Sequence, residues 1–478
     1  MSKLSPVVVS ILPGQRDLAE KVAIGLSARH DARPESFQDV TTHLVDVFRS
    51  GNPMIVFAAA GIVIRALSPV LGPKKEDAPV VAVSADGTSV VPLLGGHSGA
   101  NYLAKQVAEI TGGIAAITTA GDVTFGVALD APGENWVLEN PLDAKPAMAA
   151  LIAGNAATLR GCPDWLNALK QLENVKVLAG EDDLTVLEVS GAPPLVYRRR
   201  SLALGVGCAR GTDPDHVIGF VMKGLSAQGI AASSIASVHS IDLKSDEAAV
   251  HALADHLGVP ARFHTAERLE QEADRLVHPS EVVFGEVGCH GVSEGAALAA
   301  GGPKSELIVP KQKSGSATFA VATIADGGAE GAPRGSLSII GIGPGDASWR
   351  TGEAARLIAE ADELVGYSLY LDLLGRSARS KSRTDFALGE EEARCRYALE
   401  AAGEGRKVAL ICSGDGGIFA MGALVMELLD RDQDKGGVTK AARRVEVTHA
   451  PGISALQAAS ARSMLSSQQL RRARVQGA

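Results

Sequence analysis

Short apolar runs, each cut off by a glycine-rich turn, recur along the 478 residues and predict alternating strands and helices. In the first part these runs are Val7–Leu12, Met54–Ala58, Val80–Val83 and Ala115–Thr118, and Leu103–Ile110 has the spacing of an amphipathic helix. The pattern resumes at Leu202–Val206 and Ser237–Ile241, with a helix near Val217–Gln228, and closes around Ala320–Ala322. It starts once more with Ser336–Ile340, Val408–Ile411 and Val445–His449. Runs without alternation suit parallel strands covered on both faces. The fold class predicted is therefore α/β, with several open parallel-sheet domains in tandem. Residues 1–145 and 201–324 read as two such domains, 146–200 as a small connecting region, and 336–478 as the last domain. Between them 325–335 has almost nothing apolar to bury and reads as a flexible linker.

Composition narrows the function classes. A chain of this length implies about two to four domains, and 46% hydrophobic residues with 53 glycines fit α/β enzymes rather than disorder. A net charge of −9 and only 4% aromatics argue against a nucleic-acid partner. An acidic ligand would need local Arg and Lys to hold it against that field. The cysteines Cys162, Cys208, Cys289, Cys395 and Cys412 are isolated, which suits reduced thiols and a cytoplasmic setting. Val7–Leu12 is too short for a signal-peptide core, and Arg65 stops the Met54–Ile64 run well short of a membrane span. No metal-ligand set stands out. His251 and His256 are five apart, and Cys289-His290 lacks a neighbouring ligand.

Three glycine-rich loops follow the last three runs: Gly341-Ile342-Gly343-Pro344-Gly345-Asp346, Ser413-Gly414-Asp415-Gly416-Gly417 and Pro451-Gly452-Ile453-Ser454. They have neither the spacing of a dinucleotide fingerprint nor the Lys of a phosphate loop. Taken in order, with Trp349-Arg350-Thr351 and Gly366–Asp372, the segment resembles the tetrapyrrole methyltransferases of cobalamin biosynthesis, in particular the precorrin-3B C(17)-methyltransferases. The resemblance implies S-adenosylmethionine as cofactor, bound around Gly341, Gly343, Pro344, Gly345, Asp346, Ser413, Gly414, Asp415, Gly417 and Ile418. It makes 336–478 the first subdomain of a tetrapyrrole methylase fold, in a family whose cofactor lies between two subdomains. The family pattern runs through Ala461-Arg462 and is lost over Ser463–Arg474. The expectation is a truncated methylase, by frameshift or as a genuine short form, with methyl transfer lost.

The first 324 residues carry other motifs: Ala59–Arg65, Leu93–Asn101, Gly205–Thr212, Ile241–Glu247 and Ser293–Leu298. In this order they are similar to the cobalt-precorrin-5A hydrolase family, both its N-terminal and C-terminal domains. The resemblance implies opening of a lactone on a corrin precursor and release of acetaldehyde, with cobalt arriving only inside the substrate. Lactone opening needs a base to activate water and donors for the developing oxyanion. His97 either carries that proton or caps the next helix, and Asn101 either orients a ligand or caps the same helix. Arg65 and Lys74 are candidates for the substrate's carboxylate arms. Lys244, beside Asp242, Asp246 and Glu247, is either a catalytic charge with Asp242 on the substrate, or part of a helix-start salt bridge. Arg198–Arg200 is either a solvated linker face or a capture site. The expected function is an enzyme of corrin-ring synthesis. The alternatives are a working bifunctional hydrolase/methyltransferase and a non-catalytic corrinoid-binding scaffold. A homodimer is compatible with all three.

Overall fold

The computed structural model describes residues 5–71, 77–96, 99–118, 125–133, 135–324, 329–378, 381–418 and 421–463. They belong to two compact units, Met1–Ile117 with Gly335–Ala478, and Thr118–Arg334.

The first sheet of the first unit has the order β2-β1-β3-β4-β5-β6, built from Val7–Ser10 (β1), Arg29–Ala32 (β2), Met54–Phe57 (β3), Val80–Val83 (β4), Ser89–Leu94 (β5) and Ile114–Ala115 (β6). All four residues of β1, of β3 and of β4 are buried, because helices cover both faces. Val7, Val9, Met54 and Val56 pack into one core, and Val8, Ile55 and Phe57 into another on the opposite face. The sheet is not wholly parallel. β5 runs antiparallel to β4, with Val80 opposite Leu94. A tight turn forces this: Asp86 accepts from Ser84 Oγ at 2.6 Å and from the Thr88 N–H at 3.1 Å, and Gly87 takes φ +76°. The predicted strand at Ala115–Thr118 shrinks to β6 at the sheet edge.

The second unit begins inside the expected first domain and takes in the whole of the expected connector 146–200. Trp136–Leu138 (β7), Ala157–Arg160 (β8), Val175–Leu178 (β9), Leu184–Val189 (β10) and Leu195–Arg199 (β11) form a sheet of their own, ordered β7-β11-β10-β8-β9 and mostly antiparallel. Its core contains Leu159, Leu166, Leu169, Leu187, Leu195 and Tyr197. The buried Tyr197 hydroxyl donates to the Leu129 carbonyl at 2.8 Å. The basic run at Arg198–Arg200 is therefore a strand end, with Arg198 paired to Glu139 at 2.9 Å, and not a linker face. Antiparallel strands alternate in burial, so the apolar-run rule passed over them.

The next sheet, β14-β13-β12-β16-β15, is mixed. Leu202–Cys208 (β12), Ile235–Ile241 (β13) and Ala261–His264 (β14) are parallel, while Leu307–Ser314 (β15) and Ala317–Thr323 (β16) form an antiparallel edge hairpin. The helix Val292–Gly301 is buried from Ser293 onward and rests on β12 at Gly205, where a Cβ would lie 1.9 Å from the Ser293 carbonyl oxygen. The described part of the expected flexible linker is pinned. Ala332 exchanges backbone hydrogen bonds of 2.7 and 2.9 Å with Phe263, and Arg262 donates to the Gly331 carbonyl.

The last sheet belongs to the first unit and is wholly parallel, β19-β18-β20-β17-β21, from Ser336–Gly341 (β17), Glu363–Tyr367 (β18), Ser382–Phe386 (β19), Lys407–Cys412 (β20) and Glu446–Ala450 (β21).

A buried chain of polar groups crosses the second unit's mixed sheet. Ser237 Oγ meets His239 Nε2 at 2.7 Å, and His239 Nδ1 meets His264 Nε2 at 3.1 Å. Burial drives His239 well below the usual imidazole range and His264 down to about 4. Both rings are neutral when folded, whereas the unfolded chain protonates them below about 6.5. The unfolded state thus binds more protons in that window, and stability is present above it and lost as pH falls towards 4. Urea unfolding followed by fluorescence should show a lower midpoint at pH 5 than at pH 7, and His239→Gln with His264→Gln should flatten that slope. An equal slope in the double variant would contradict the assignment.

Candidate functional site

Three neighbouring strands of the last sheet, β20, β17 and β21, deliver their following loops to one edge, outside the carboxyl ends where α/β sheets bind ligands. The loops touch backbone to backbone. Gly343 and Gly414 exchange hydrogen bonds of 3.1 and 2.9 Å, each at φ +65°. A Cβ on Gly452 would lie 2.0 Å from the Gly414 carbonyl, and one on Gly341 would lie 2.5 Å from it, so only glycine permits this floor. Asp415 ties it together, accepting from the Gly417 N–H at 2.8 Å and the Gly452 N–H at 3.1 Å, with His449 at 3.5 Å. Its side chain is 10% exposed and engaged within the protein. Pro344, Asp346, Ser413, Gly417 and Ile418 are exposed, while Gly341, Gly343 and Gly345 lie beneath. Asp346 accepts from Ser348 Oγ and from its N–H, at 2.6 and 2.8 Å, which holds its carboxyl below the usual range. A glycine floor with an ionised carboxylate at its rim fits a zwitterionic ligand such as the methionine end of S-adenosylmethionine.

In the second unit the carboxyl ends of β12 and β13 carry a charged network. Arg210 pairs with Asp246 at 2.9 Å and donates to the Leu243 carbonyl at 2.7 Å. Glu247, 4% exposed, accepts from the Gly211 N–H at 3.0 Å and from Lys244 Nζ at 3.4 Å. Lys244 thus takes part in a helix-start ion pair, because Glu247 is the cap of the helix Ala248–Leu257. Asp242 heads the same turn. Glu247 belongs to the charged cluster seen in the sequence, whereas Arg210, which the charge pattern did not single out, joins it from the turn after β12. Only the fold brings the turn after β12 to the turn after β13. Burial pushes up the neighbouring Cys208 thiol, leaving it a poor nucleophile.

Around the first sheet the described candidates are Arg65 and Asn101. The helix Ala60–Leu67 leaves the carboxyl end of β3 and runs back along the sheet, so exposed Arg65 lies towards the amino ends of β3 and β4. Gly95, at φ +69°, packs directly on Ala78 and Pro79 at that same end, with a Cβ position 2.8 Å from Pro79. Lys74 and His97 lie outside the described residues, but these flanks meet. A Cβ on Gly96 would lie 3.9 Å from Asn101 Nδ2, and Asn101 stands inside the helix Ala100–Thr111, whose cap is Gly99 at φ +105°.

Three family models match the chain in succession: Cobalamin synthesis G N-terminal over residues 42–122, Cobalamin synthesis G C-terminus over 202–322, and Tetrapyrrole (Corrin/Porphyrin) Methylases over 336–474. Protein CobE of Sinorhizobium sp is 46% identical over 121 residues, 25% of this chain and 79% of that relative. The chain belongs to the cobalamin synthesis G family. Cobalt-precorrin-5A hydrolase of Priestia megaterium is 29% identical over 307 residues, 59% of this chain and 81% of the relative. Precorrin-3B C(17)-methyltransferase of Sinorhizobium sp is 37% identical over 129 residues, 27% of this chain and 48% of the relative. The chain spans about half the length of that methyltransferase. Two cobalamin synthesis G domains are thus joined to a tetrapyrrole methylase domain, and the relatives are enzymes of cobalamin biosynthesis.

Among the described residues of this cobalamin synthesis G protein no group of three His, Cys, Asp or Glu could hold a metal, and no helix is long and apolar enough to cross a membrane. A cavity of about 850 Å³ in the first unit is bordered by Arg29, Asp39, Asp46, Arg350 and Lys381, and holds none of the predicted site residues. For the methylase loops, Asp415→Ala leaves two amides without their acceptor and should cost about 1–3 kcal/mol. Hydrogen exchange should quicken at both Ser413–Gly417 and Pro451–Ser454, and an effect confined to one loop would count against the tie.

Proposed function

We propose that residues 1–324 open a lactone on a corrin precursor and release acetaldehyde, as the name and extent of the hydrolase relative suggest. The observation that carries this reading is the ordered pair of cobalamin synthesis G matches, together with the 307-residue alignment that covers 81% of a cobalt-precorrin-5A hydrolase. His97 is the proposed base. Lys244 supplies positive charge for the developing oxyanion, held ready by Glu247. Arg65, Lys74, Asn101 and Asp242 hold the substrate's polar arms, and cobalt, where present, belongs to the substrate. The compartment proposed is the cytoplasm, and the assembly a homodimer, which sedimentation of the purified protein would test. With the lactone-bearing precursor, His97→Ala should slow acetaldehyde release by about 100-fold. An unchanged rate removes His97 from the chemistry. Stoichiometric binding of an unaltered corrinoid by the unsubstituted chain would instead favour a scaffold.

The loops around Gly341–Asp346 and Ser413–Ile418 are proposed to hold S-adenosylmethionine, which supplies an activated methyl group when bound. Asp346 is placed to pair with its ammonium, and loop amides with its carboxylate. Small-molecule sites bury about 70% or more of their ligand. These loops form only part of such an enclosure, so we propose that by themselves they bind the cofactor weakly. Calorimetry on the 478-residue chain should show no micromolar binding; micromolar affinity would refute this.

A further inference from the structure

The carboxyl ends of β13 and β14 carry a second constellation that none of the motifs identified. Cys289 is buried there among Ile241, Leu269 and Ala296, and the next residue is His290. A single carboxylate, Glu270, grips His290 twice, accepting its backbone N–H at 2.9 Å and meeting ring Nδ1 at 2.7 Å. Phe284 stacks on the ring with centroids 4.5 Å apart, and Nε2 lies 3.5 Å from Glu281. The His290 side chain is 24% exposed, so the ring is fixed yet reachable. The helix Val292–Gly301 starts two residues on, with Gly291 at its cap position and no side-chain cap on its first amides.

We propose that His290, oriented by Glu270, is a general-acid residue of the second unit that gives its Nε2 proton to the oxygen released from the lactone. The role rests on the hydrolytic reading above. Water oxygen bonds to the acyl carbon while its proton passes to the base. The acyl–oxygen bond breaks, its electron pair stays on the ring-opened oxygen, and that oxygen takes the His290 proton. Solvent then reprotonates the imidazole. Hydrogen bonding to Glu270, with Glu281 facing the other nitrogen, holds the imidazolium above its ordinary range, as an acid working near neutrality requires. Four other imidazoles of this unit are engaged otherwise. His239 and His264 are buried against each other, and His251 meets the Ser245 carbonyl at 2.7 Å. His278 has a similar clasp to Glu294, but that carboxylate also accepts the Val277, His278 and Lys311 amides, and the ring is 50% exposed. His278 is therefore the structural control.

The test is acetaldehyde release by the full chain as a function of pH, with thermal melting of each variant. His290→Gln should lower kcat by about 100-fold and abolish the high-pH limb. Glu270→Gln, which keeps the side chain's size but only one of its two acceptors, should move that limb to lower pH, because the charge that holds the proton is gone. His278→Gln should leave rate and profile as they are. A His290→Gln rate within threefold of the unsubstituted chain, or an unmoved limb in Glu270→Gln, overturns the assignment and leaves the hydrolytic reading standing. No release from the unsubstituted chain overturns both.

Discussion

Backbone in direct contact with backbone, at positions where a side chain has no room, is the constraint on which both candidate sites depend. In the second unit the helix Val292–Gly301 can settle on β12 only because Gly205 offers no Cβ to the Ser293 carbonyl. That contact buries the helix from Ser293 onward, fixes Glu294 as the clasp of the preceding segment, and sets Cys289 and His290 beside the end of β13. Gly341 and Gly452 do the same for the three loops of the last sheet. An added methyl at any of these points would have to push main chain aside, and interiors at crystal-like density have little space to yield.

Carboxylates then lock what the glycines admit. Asp415, Glu247, Glu270 and Glu294 each accept backbone amides from a segment remote in sequence. Such charge-assisted bonds are about twice as strong as neutral ones, and a buried carboxylate stays put because leaving its donors is costly. The same groups also hold a lysine or an imidazole, so that the holding of loops and the tuning of charge are one arrangement. In a net-negative protein any acidic ligand needs cations held in this way, since the overall field opposes it.

Much was legible without coordinates. Apolar runs located β1, β3, β4, β12, β13 and β17 to within about two residues, and glycine loops marked the floor of the methylase segment, because burial on both faces and positive φ leave local traces. Alternating, half-buried strands leave weaker ones. Most of the mainly antiparallel sheet from Trp136 to Arg199 was read as a connector over 146–200, its first strand was counted with the first domain, and the reversal of β5 was passed over although Asp86-Gly87 was there to signal it. The stretch before Gly335 looked flexible by composition, yet glycine-rich backbone can pair with any strand edge that reaches it, and Ala332 pairs with Phe263.

By itself the sequence determined the α/β class, the family and the residue types available for proton transfer, since these follow from periodicity and from motifs that are contiguous in the chain. The tertiary structure decided which of those residues work together. Lys244 and Glu247 share one turn and pair there, but Arg210 joins them only because β12 and β13 lie side by side. Glu270 and His290 are twenty residues apart and meet at 2.7 Å only because the chain folds back at the end of β14. Asp415, expected at the ligand, also ties two loops together, because the fold brings the Gly452 amide beside it from another strand's loop.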